Sequence, residues 1–170
     1  MSELTQSNST IAEAIEFAER AHGLQKYGDL PYTEHLHDVF STLLEFGWYD
    51  DDDLLAAAYL HDVLEDTSTT VAELEAQFGM PVAALVEMVT NEPGRNRAER
   101  HAKTYPKIRG AETIALKLAD RISNARCAAK NRPDLLLMYR AEYPEFQVAL
   151  RHQSTNAHAG MWAALDDLLL

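Results

Sequence analysis

A chain of 170 residues, 46% hydrophobic and 25% charged, has the size and composition of one globular domain, and no apolar run in it approaches the roughly 20 residues that span a membrane. Its net charge of −12 argues against a general nucleic-acid binder. The single cysteine, Cys127, excludes an internal disulfide framework or a thiolate zinc cluster, suits a reducing cytoplasm, and leaves imidazole and carboxylate as the metal ligands available.

The N-terminus lacks the basic-then-apolar pattern of a secretory signal, so none is expected. Thr10-Ile11-Ala12-Glu13 reads as a capping box, with Thr at N-cap and Glu at N3. The helix it opens carries Ile11, Ala14, Ile15, Phe17, Ala18 and Ala21 at helical spacing and ends near His22-Gly23. Gln25 to Tyr32 has loop chemistry, with Gly28, Asp29 and Pro31. Lys26, in that loop, is the only basic residue between Arg20 and Arg95. It is either plain surface or a contact for a phosphate or a base.

A second helix begins around Tyr32 to Phe40, with Val39, Phe40, Leu43 and Leu44 as its apolar stripe. His35 shares the face of Val39 and points inward; alone it reads as a hydrogen-bonded core histidine. Asp50 to Asp53 complement the dipole of the next helix. That helix, Leu54 to Leu64, is apolar nearly all round and is expected to be central and buried. A buried His61-Asp62 pair near its end must therefore be satisfied by something.

The stretch Leu60-His61-Asp62-Val63-Leu64-Glu65-Asp66-Thr67 holds the densest chemistry. An adjacent His-Asp pair can present a nitrogen and an oxygen to one metal ion. On a continuous helix Glu65 returns to the face of His61, and Asp66 to that of Asp62. One surface would then hold two candidate ligands and two candidate acid/base groups. A solvated, Asp-rich helix end is the plainer alternative.

Thr70-Val71-Ala72-Glu73 is a second capping box. Its helix ends at Gly79, and Pro81 to Thr90 forms another. After the loop Asn91 to Gly94 come Arg95, Arg97, Arg100, Lys103, Lys107 and Arg109, around Tyr105-Pro106. Between Asn91 and Arg132 there are eleven Lys and Arg against four Asp and Glu, a local net of +7; the remaining residues have a net of −19. A basic third in an acidic protein points to a local anion site, for instance for phosphates.

Ala111 to Arg126 reads as a long helix with Ile114, Leu118, Ile122 and Ala125 inward. Lys117, Asp120, Arg121 and Asn124 share one stripe. Aspartate is a poor mid-helix residue, so Asp120 is a candidate for a specific task; a surface pair with Lys117 or Arg121 is the alternative. Leu135 to Leu150 and His158 to Leu170 complete the chain as amphipathic helices, with Pro133 and Pro144 breaking or starting turns. No strand-like alternation is present, so the fold class expected is all-α. Cys127 is expected to be buried.

His35, then His61-Asp62, then Asp120, all on predicted helices, follow the H…HD…D ligand order of the HD-domain metallophosphohydrolases. Pro31-Tyr32-x-x-His35, His61-Asp62-Val63-Leu64-Glu65-Asp66-Thr67, Phe78-Gly79-x-x-Val82 and Lys117-Leu118-Ala119-Asp120-Arg121-x-x-Asn124-x-Arg126 resemble the hydrolase domain of RelA/SpoT-type enzymes, in particular the small stand-alone alarmone hydrolases. The resemblance covers roughly 11–126. It implies a single HD-type helical bundle over 1–170, with a metal site between helices and 133–170 completing the bundle. It makes His35, His61, Asp62 and Asp120 ligands of one divalent metal, manganese as the usual ion, with zinc, cobalt or iron as alternatives. Glu65 and Asp66 match the pair that orients or activates the attacking water. Lys117 and Asn124 match residues lining the nucleotide and phosphate site. The family reaction removes the 3′-pyrophosphate of ppGpp or pppGpp, giving GDP or GTP and pyrophosphate.

Further substrate contacts are expected from Lys26, Tyr32, Arg121 and the basic segment 95–109, with Arg100 and Lys103 covering the substrate's charge. Tyr32, Tyr105 or Tyr143 is expected to stack on a base. Two departures from the family pattern stand out. The loop Lys26-Tyr27-Gly28-Asp29-Leu30 is short and has Asp29 where the family has glycine. The segment after Arg126 looks unlike the family, and Met138-Tyr139-x-x-Glu142-Tyr143-Pro144-x-Phe146 can build a different pocket wall. The alternative reading is an HD-type phosphohydrolase of deoxynucleoside phosphates; a non-catalytic nucleotide-binding module is the third. The partner expected is a small nucleotide, with no nucleic acid and no membrane, in the cytoplasm; the oligomeric state is open.

Overall fold

The computed structural model describes residues 2–170, with side chains from residue 10 onward. Helix α1 spans Ser2–His22, and a two-residue hairpin, β1 (Lys26–Tyr27) and β2 (Leu30–Pro31), leads into α2 (Thr33–Glu45). Then follow α3 (Asp52–Leu60), α4 (Val63–Asp66), α5 (Val71–Val89), α6 (Arg97–Thr104), α7 (Ala111–Asn131), α8 (Pro133–Leu150) and α9 (Ala159–Leu169). Among the described residues no helix is long and apolar enough to cross a membrane. The all-α expectation holds, apart from the hairpin where a plain loop was expected. Gly28 makes its two-residue turn by taking a positive φ of 63°.

Two helices organise the rest. In α3 every residue from Leu54 to Leu60 is buried, and α1, α2, α5 and α7 pack around it. Asp51 starts this helix by accepting the amide of Leu54 at 2.9 Å. Helix α7 packs against α2, α3, α5, α8 and α9 and buries Ile114, Leu118, Ile122 and Ala125, as its spacing predicts. One apolar core runs from Ala14 in α1 to Leu169 in α9. Truncating a fully buried leucine such as Leu54 or Leu118 to alanine would cost about 2–5 kcal/mol.

Four local expectations need correction. The first capping box is not an N-terminus, because α1 is already helical from Ser2 and Thr10 lies inside it. The apolar helix after Asp53 does not run to Leu64. It stops at Leu60, and Asp62, at φ −103° and ψ −4°, separates it from the single turn α4. Pro144 does not break α8, which continues through it and buries Tyr143, Phe146 and Leu150. Cys127 is half-buried rather than buried. The second capping box is as read: Thr70 and Glu73 satisfy one another's amides, and Gly79, at φ 85°, kinks α5 before Pro81.

Candidate functional site

The break after α3 is what brings His61 and Asp62 together. Consecutive residues of a continuous helix point about 100° apart. With the helix interrupted, His61 Nε2 and Asp62 Oδ2 come within 3.1 Å. His35 arrives from the first turn of α2 and Asp120 from the middle of α7. His35 Nε2 lies 3.6 Å from Asp62 Oδ2 and 3.5 Å from Asp120 Oδ1, and His61 Nε2 lies 3.9 Å from Asp120 Oδ1. Both imidazoles are buried, at 1% and 2% exposure.

His35, His61 and Asp62 can each offer a divalent metal ion one ligand atom, all within 4.8 Å of one another, with Asp120 beside the two histidines at the edge of that group. Ligand atoms about 2.1 Å from one ion stand about 3.0 Å apart at right angles and about 3.4 Å apart at the tetrahedral angle. The His61–Asp62 separation falls in that range, the two to His35 are 0.1–0.2 Å longer than its upper end, and the 3.9 Å from His61 to Asp120 exceeds it. The outer nitrogens are already used: His61 Nδ1 donates to the carbonyl of Ala58 at 2.8 Å, and His35 Nδ1 meets Ser123 Oγ at 3.2 Å. A carbonyl only accepts, so the proton of neutral His61 sits on Nδ1 and the lone pair on Nε2, the arrangement of a metal-binding histidine. His61 Nε2 is a buried atom with no aligned hydrogen-bond partner.

Burial alone would push the His61 imidazole down, but the charge of Asp62 and then that of Asp120 raise it to about 9. Burial would push the Asp120 carboxyl up, yet Lys117 and the two histidines hold it well below the usual carboxylate range. Asp62 is likewise held low by His61 against burial. Two buried carboxylates held ionised draw positive charge toward the cluster.

A second layer ties the ligands to the hairpin. The Tyr32 hydroxyl donates to Asp62 Oδ2 at 2.6 Å. Tyr27 donates to Asn124 Oδ1 at 2.9 Å, and Asn124 in turn donates to Asp120 Oδ1. The Tyr27 ring stacks on His35 at 4.8 Å, and Tyr32 stacks on His22 at 4.6 Å. Burial and the nearby Asp62 carboxylate push the Tyr32 hydroxyl far up, so it stays a donor.

Beside the ligands opens a polar cleft of about 200 Å³ lined by Tyr32, His35, Asp62, Asn91, Arg97, His101, Lys117, Asp120, Arg121, Asn124 and Tyr139. Of the expected substrate contacts it gathers Tyr32, Lys117, Arg121 and Asn124. Lys26, Arg100 and Lys103 are not among its lining residues. Lys26 is exposed on β1. Lys103 is held at the surface by Glu99 and the carbonyl of Pro93. From the basic segment only Arg97 and His101 reach the cleft; Arg95 pairs with Glu99, Lys107 with Glu92, and Arg109 with the carbonyl of Pro106. Positions 97 and 101 are one turn apart on one face and 103 falls on another; Arg100, three residues after Arg97, packs its side chain against Gly94. Tyr105 and Tyr143, at 4% and 1% exposure, are core residues and offer no face to a base.

Glu65 and Asp66 do not line the cleft, because the turn at 61–62 takes them off the continuous helix that would have returned them to the ligand face. Both are exposed. Glu65 accepts the backbone and side-chain amides of Asn91 at 2.7 and 3.0 Å, and Asn91 does line the cleft. Asp66 accepts Gln25 Nε2 at 2.7 Å. Sequence reasoning also missed Asn91 and His101. A larger, mainly apolar hollow of about 490 Å³ lies elsewhere, between Tyr105, Pro106, Arg109 and the end of α8; none of the four ligand-bearing residues borders it.

A sequence profile of the HD domain matches residues 14–143. The chain belongs to the HD-domain family. Among its relatives, this HD-domain protein is 34% identical over 159 residues to guanosine-3′,5′-bis(diphosphate) 3′-pyrophosphohydrolase MESH1 of Danio rerio, covering 89% of this chain and 88% of that protein. To the human protein of the same name it is 35% identical, covering 86% of each chain. A guanosine-3′,5′-bis(diphosphate) 3′-pyrophosphohydrolase of Aquifex aeolicus is 34% identical over 99% of this chain, which spans only 24% of that longer relative. The HD-domain fold is shared with the solved structure of a metazoan ortholog of SpoT, at a TM-score of 0.77 over 93% of this chain and 94% of that one, with 24% identity. The family and the fold expected from the motifs are thereby borne out.

Proposed function

We propose that this HD-domain protein is a metal-dependent phosphohydrolase that removes the 3′-pyrophosphate of ppGpp or pppGpp, leaving GDP or GTP and pyrophosphate. The observation that carries this reading is the meeting of two charge environments in one cleft. Four ligand atoms from His35, His61, Asp62 and Asp120 converge within 3.1–3.9 Å in adjacent pairs, and Arg97, Lys117 and Arg121 border the same space. A nucleotide carrying phosphates at one end fits that combination. The similarity to proteins named for this reaction selects it among phosphoryl hydrolyses.

The chemistry a divalent ion supplies at those four residues is Lewis acidity toward a phosphoryl oxygen and an easier deprotonation of water. Manganese is the ion proposed, on the family resemblance. Tyr32 and Asn124 fix the two carboxylate ligands, and Ser123 and the Ala58 carbonyl fix the imidazoles. Arg97, Lys117 and Arg121 offset the charge of the phosphates that an acidic protein otherwise repels. On the family resemblance Glu65 accepts the proton of the attacking water, which requires it to leave Asn91 and turn toward the cleft it does not line here. Asp66 holds the hairpin side through Gln25. The cleft is smaller than the roughly 300–1,000 Å³ of sites that enclose a whole drug-sized ligand. It therefore takes the reacting phosphates and leaves the nucleoside toward its mouth. The protein acts on a small nucleotide in the cytoplasm, in keeping with its single cysteine.

The test is manganese-loaded protein incubated with ppGpp and with a panel of dNTPs and dNMPs, the products being resolved by ion exchange. GDP and pyrophosphate from ppGpp, with the deoxynucleotides untouched, is the expected result. Inert ppGpp with a cleaved deoxynucleotide would overturn the substrate assignment.

A further inference from the structure

One wall of the cleft is built from two arginines that share a single carboxylate. Arg97, the first residue of α6, donates Nε to Glu142 Oε1 at 2.7 Å and Nη2 to Oε2 at 3.0 Å. Arg121, from α7, donates Nη1 to the same Oε2 at 3.1 Å. Glu142 belongs to α8, which contributes no metal ligand, and it is not among the lining residues, whereas both arginines are. The Arg121 guanidinium also lies 5.0 Å from the ring centre of Tyr139 and 4.8 Å from that of Phe146. Its side chain is 6% exposed, against 41% for Arg97. Among the described residues no other acceptor meets either guanidinium. A guanidinium has five N–H donors. Arg97 uses two on Glu142 and Arg121 one, so most of their donors are left for a ligand in the cleft.

We infer that Glu142 is a positioning residue, which bridges Arg97 and Arg121 and holds them as a fixed two-armed receptor for the pyrophosphate group that leaves. The inference rests on the reaction proposed above for which group is held. Two like charges at one wall repel, and an exposed Arg97 gains rotamer freedom by turning to water. A shared carboxylate removes both tendencies. Because Arg97 meets it through Nε and Nη2, the two N–H groups of Nη1 remain for a phosphate without displacing Glu142. The contact is bidentate, and Arg121 is clamped between Glu142 and two rings. The fork is thus ordered before substrate arrives, and preorganisation of this kind is realised as affinity.

The experiment uses the full chain loaded with manganese, with bound metal quantified in every variant. Glu142→Gln keeps the shape and removes the charge; Glu142→Asp keeps the charge on a shorter arm. Two readouts are taken: the kcat and KM for ppGpp, and calorimetric binding of inorganic pyrophosphate. Glu142→Gln should raise KM and weaken pyrophosphate about tenfold, the scale of re-ordering one or two long side chains. Its kcat should stay within about threefold and its metal content should not change, a split that a general loss of structure would not give. Glu142→Asp should recover part of the affinity. On an Arg97→Gln background the effect of Glu142→Gln should shrink, as expected if it acts through that arginine. Unchanged pyrophosphate affinity would overturn the inference. So would tighter binding in Glu142→Gln, because Glu142 would then be a competitor for the arginines. If the wild type leaves ppGpp intact, the reaction assignment fails separately. Calorimetry with pyrophosphate then decides the fork alone, tenfold weaker binding in Glu142→Gln supporting it and no wild-type binding refuting it. If Glu142→Gln does not fold, Arg97→Gln with Glu142→Asp gives the same cycle.

Discussion

Replacing Lys117 by alanine should destabilise the protein far more when its metal is stripped than when it is loaded. Lys117 Nζ lies 3.2 Å from Asp120 Oδ2, and the two side chains are only 10% and 15% exposed. At that distance and an effective dielectric near 20 the attraction is about 5 kcal/mol. Removing one member of a buried pair costs about 3–5 kcal/mol, because the other charge stays behind uncompensated. Asp120 keeps its hydrogen bond from Asn124 and its histidine neighbours, so the lower figure, about 3 kcal/mol, applies. In a chain of 170 residues each kcal/mol moves Tm by about 2–4 °C, which gives about 6–12 °C in chelator. In excess manganese Asp120 has a second counter-charge, and the drop should shrink to a few degrees. Scanning calorimetry under both conditions measures the difference. Equal drops would refute the reasoning, since Lys117 would then support α7 irrespective of the ion. No drop in chelator would mean that Asp120 does not depend on Lys117.

Tyr32→Phe removes the hydroxyl on Asp62 and keeps the ring on His22; it should lower metal affinity about 10–100-fold, measured by competition with a chromogenic chelator, and an unchanged affinity would remove Tyr32 from the metal-orienting layer. Glu65→Gln should keep its metal and lose about 10²–10⁴-fold in turnover; retained turnover would sink the proton-accepting role. Burial, and then the Arg121, Arg97 and Lys117 charges working against Glu142, push the His101 imidazole down to about 4 from 6.5. The unfolded chain therefore takes up this proton first, and His101 costs stability progressively as pH falls from about 6.5 toward 4. Urea midpoints at pH 7 and pH 5 should differ more in the wild type than in His101→Gln, and equal differences would contradict the depressed value.

The four candidate ligands were legible because their chemistry is local and their order is distinctive. A His-Asp dipeptide, an inward histidine and a mid-helix aspartate each break the expected pattern of a helix. The interruption at His61-Asp62 was not legible, because Leu54 to Leu60 is uniformly apolar and no glycine or proline follows it before Glu65. That one missed turn moved Glu65 and Asp66 off the ligand face. The basic segment was visible as charge, but charge has no phase. The helical register of α6 separates Arg97 and His101, which reach the cleft, from Lys103, and packing against Gly94 takes Arg100 away from it. Arg97 and His101 share their face with the buried Thr104, and that was the available signal. The hairpin was readable from Gly28-Asp29 as a two-residue turn, yet its task as a brace for Asp62 and Asp120 depends on partners 30 and 97 residues away.

Those long separations also fix when the centre can exist during folding. His35 meets Ser123 across 88 residues, and Tyr27 meets Asn124 across 97. Only the His61-Asp62 pair is contiguous, and two ligands hold an ion poorly. Helices such as α3 and α7 can form from local contacts, but the ion has no home until α2 and α7 have docked and closed the intervening loop. Metal capture is therefore a late event. In a refolding experiment the helical signal should recover first, and metal uptake should mark the arrival of the last native contacts.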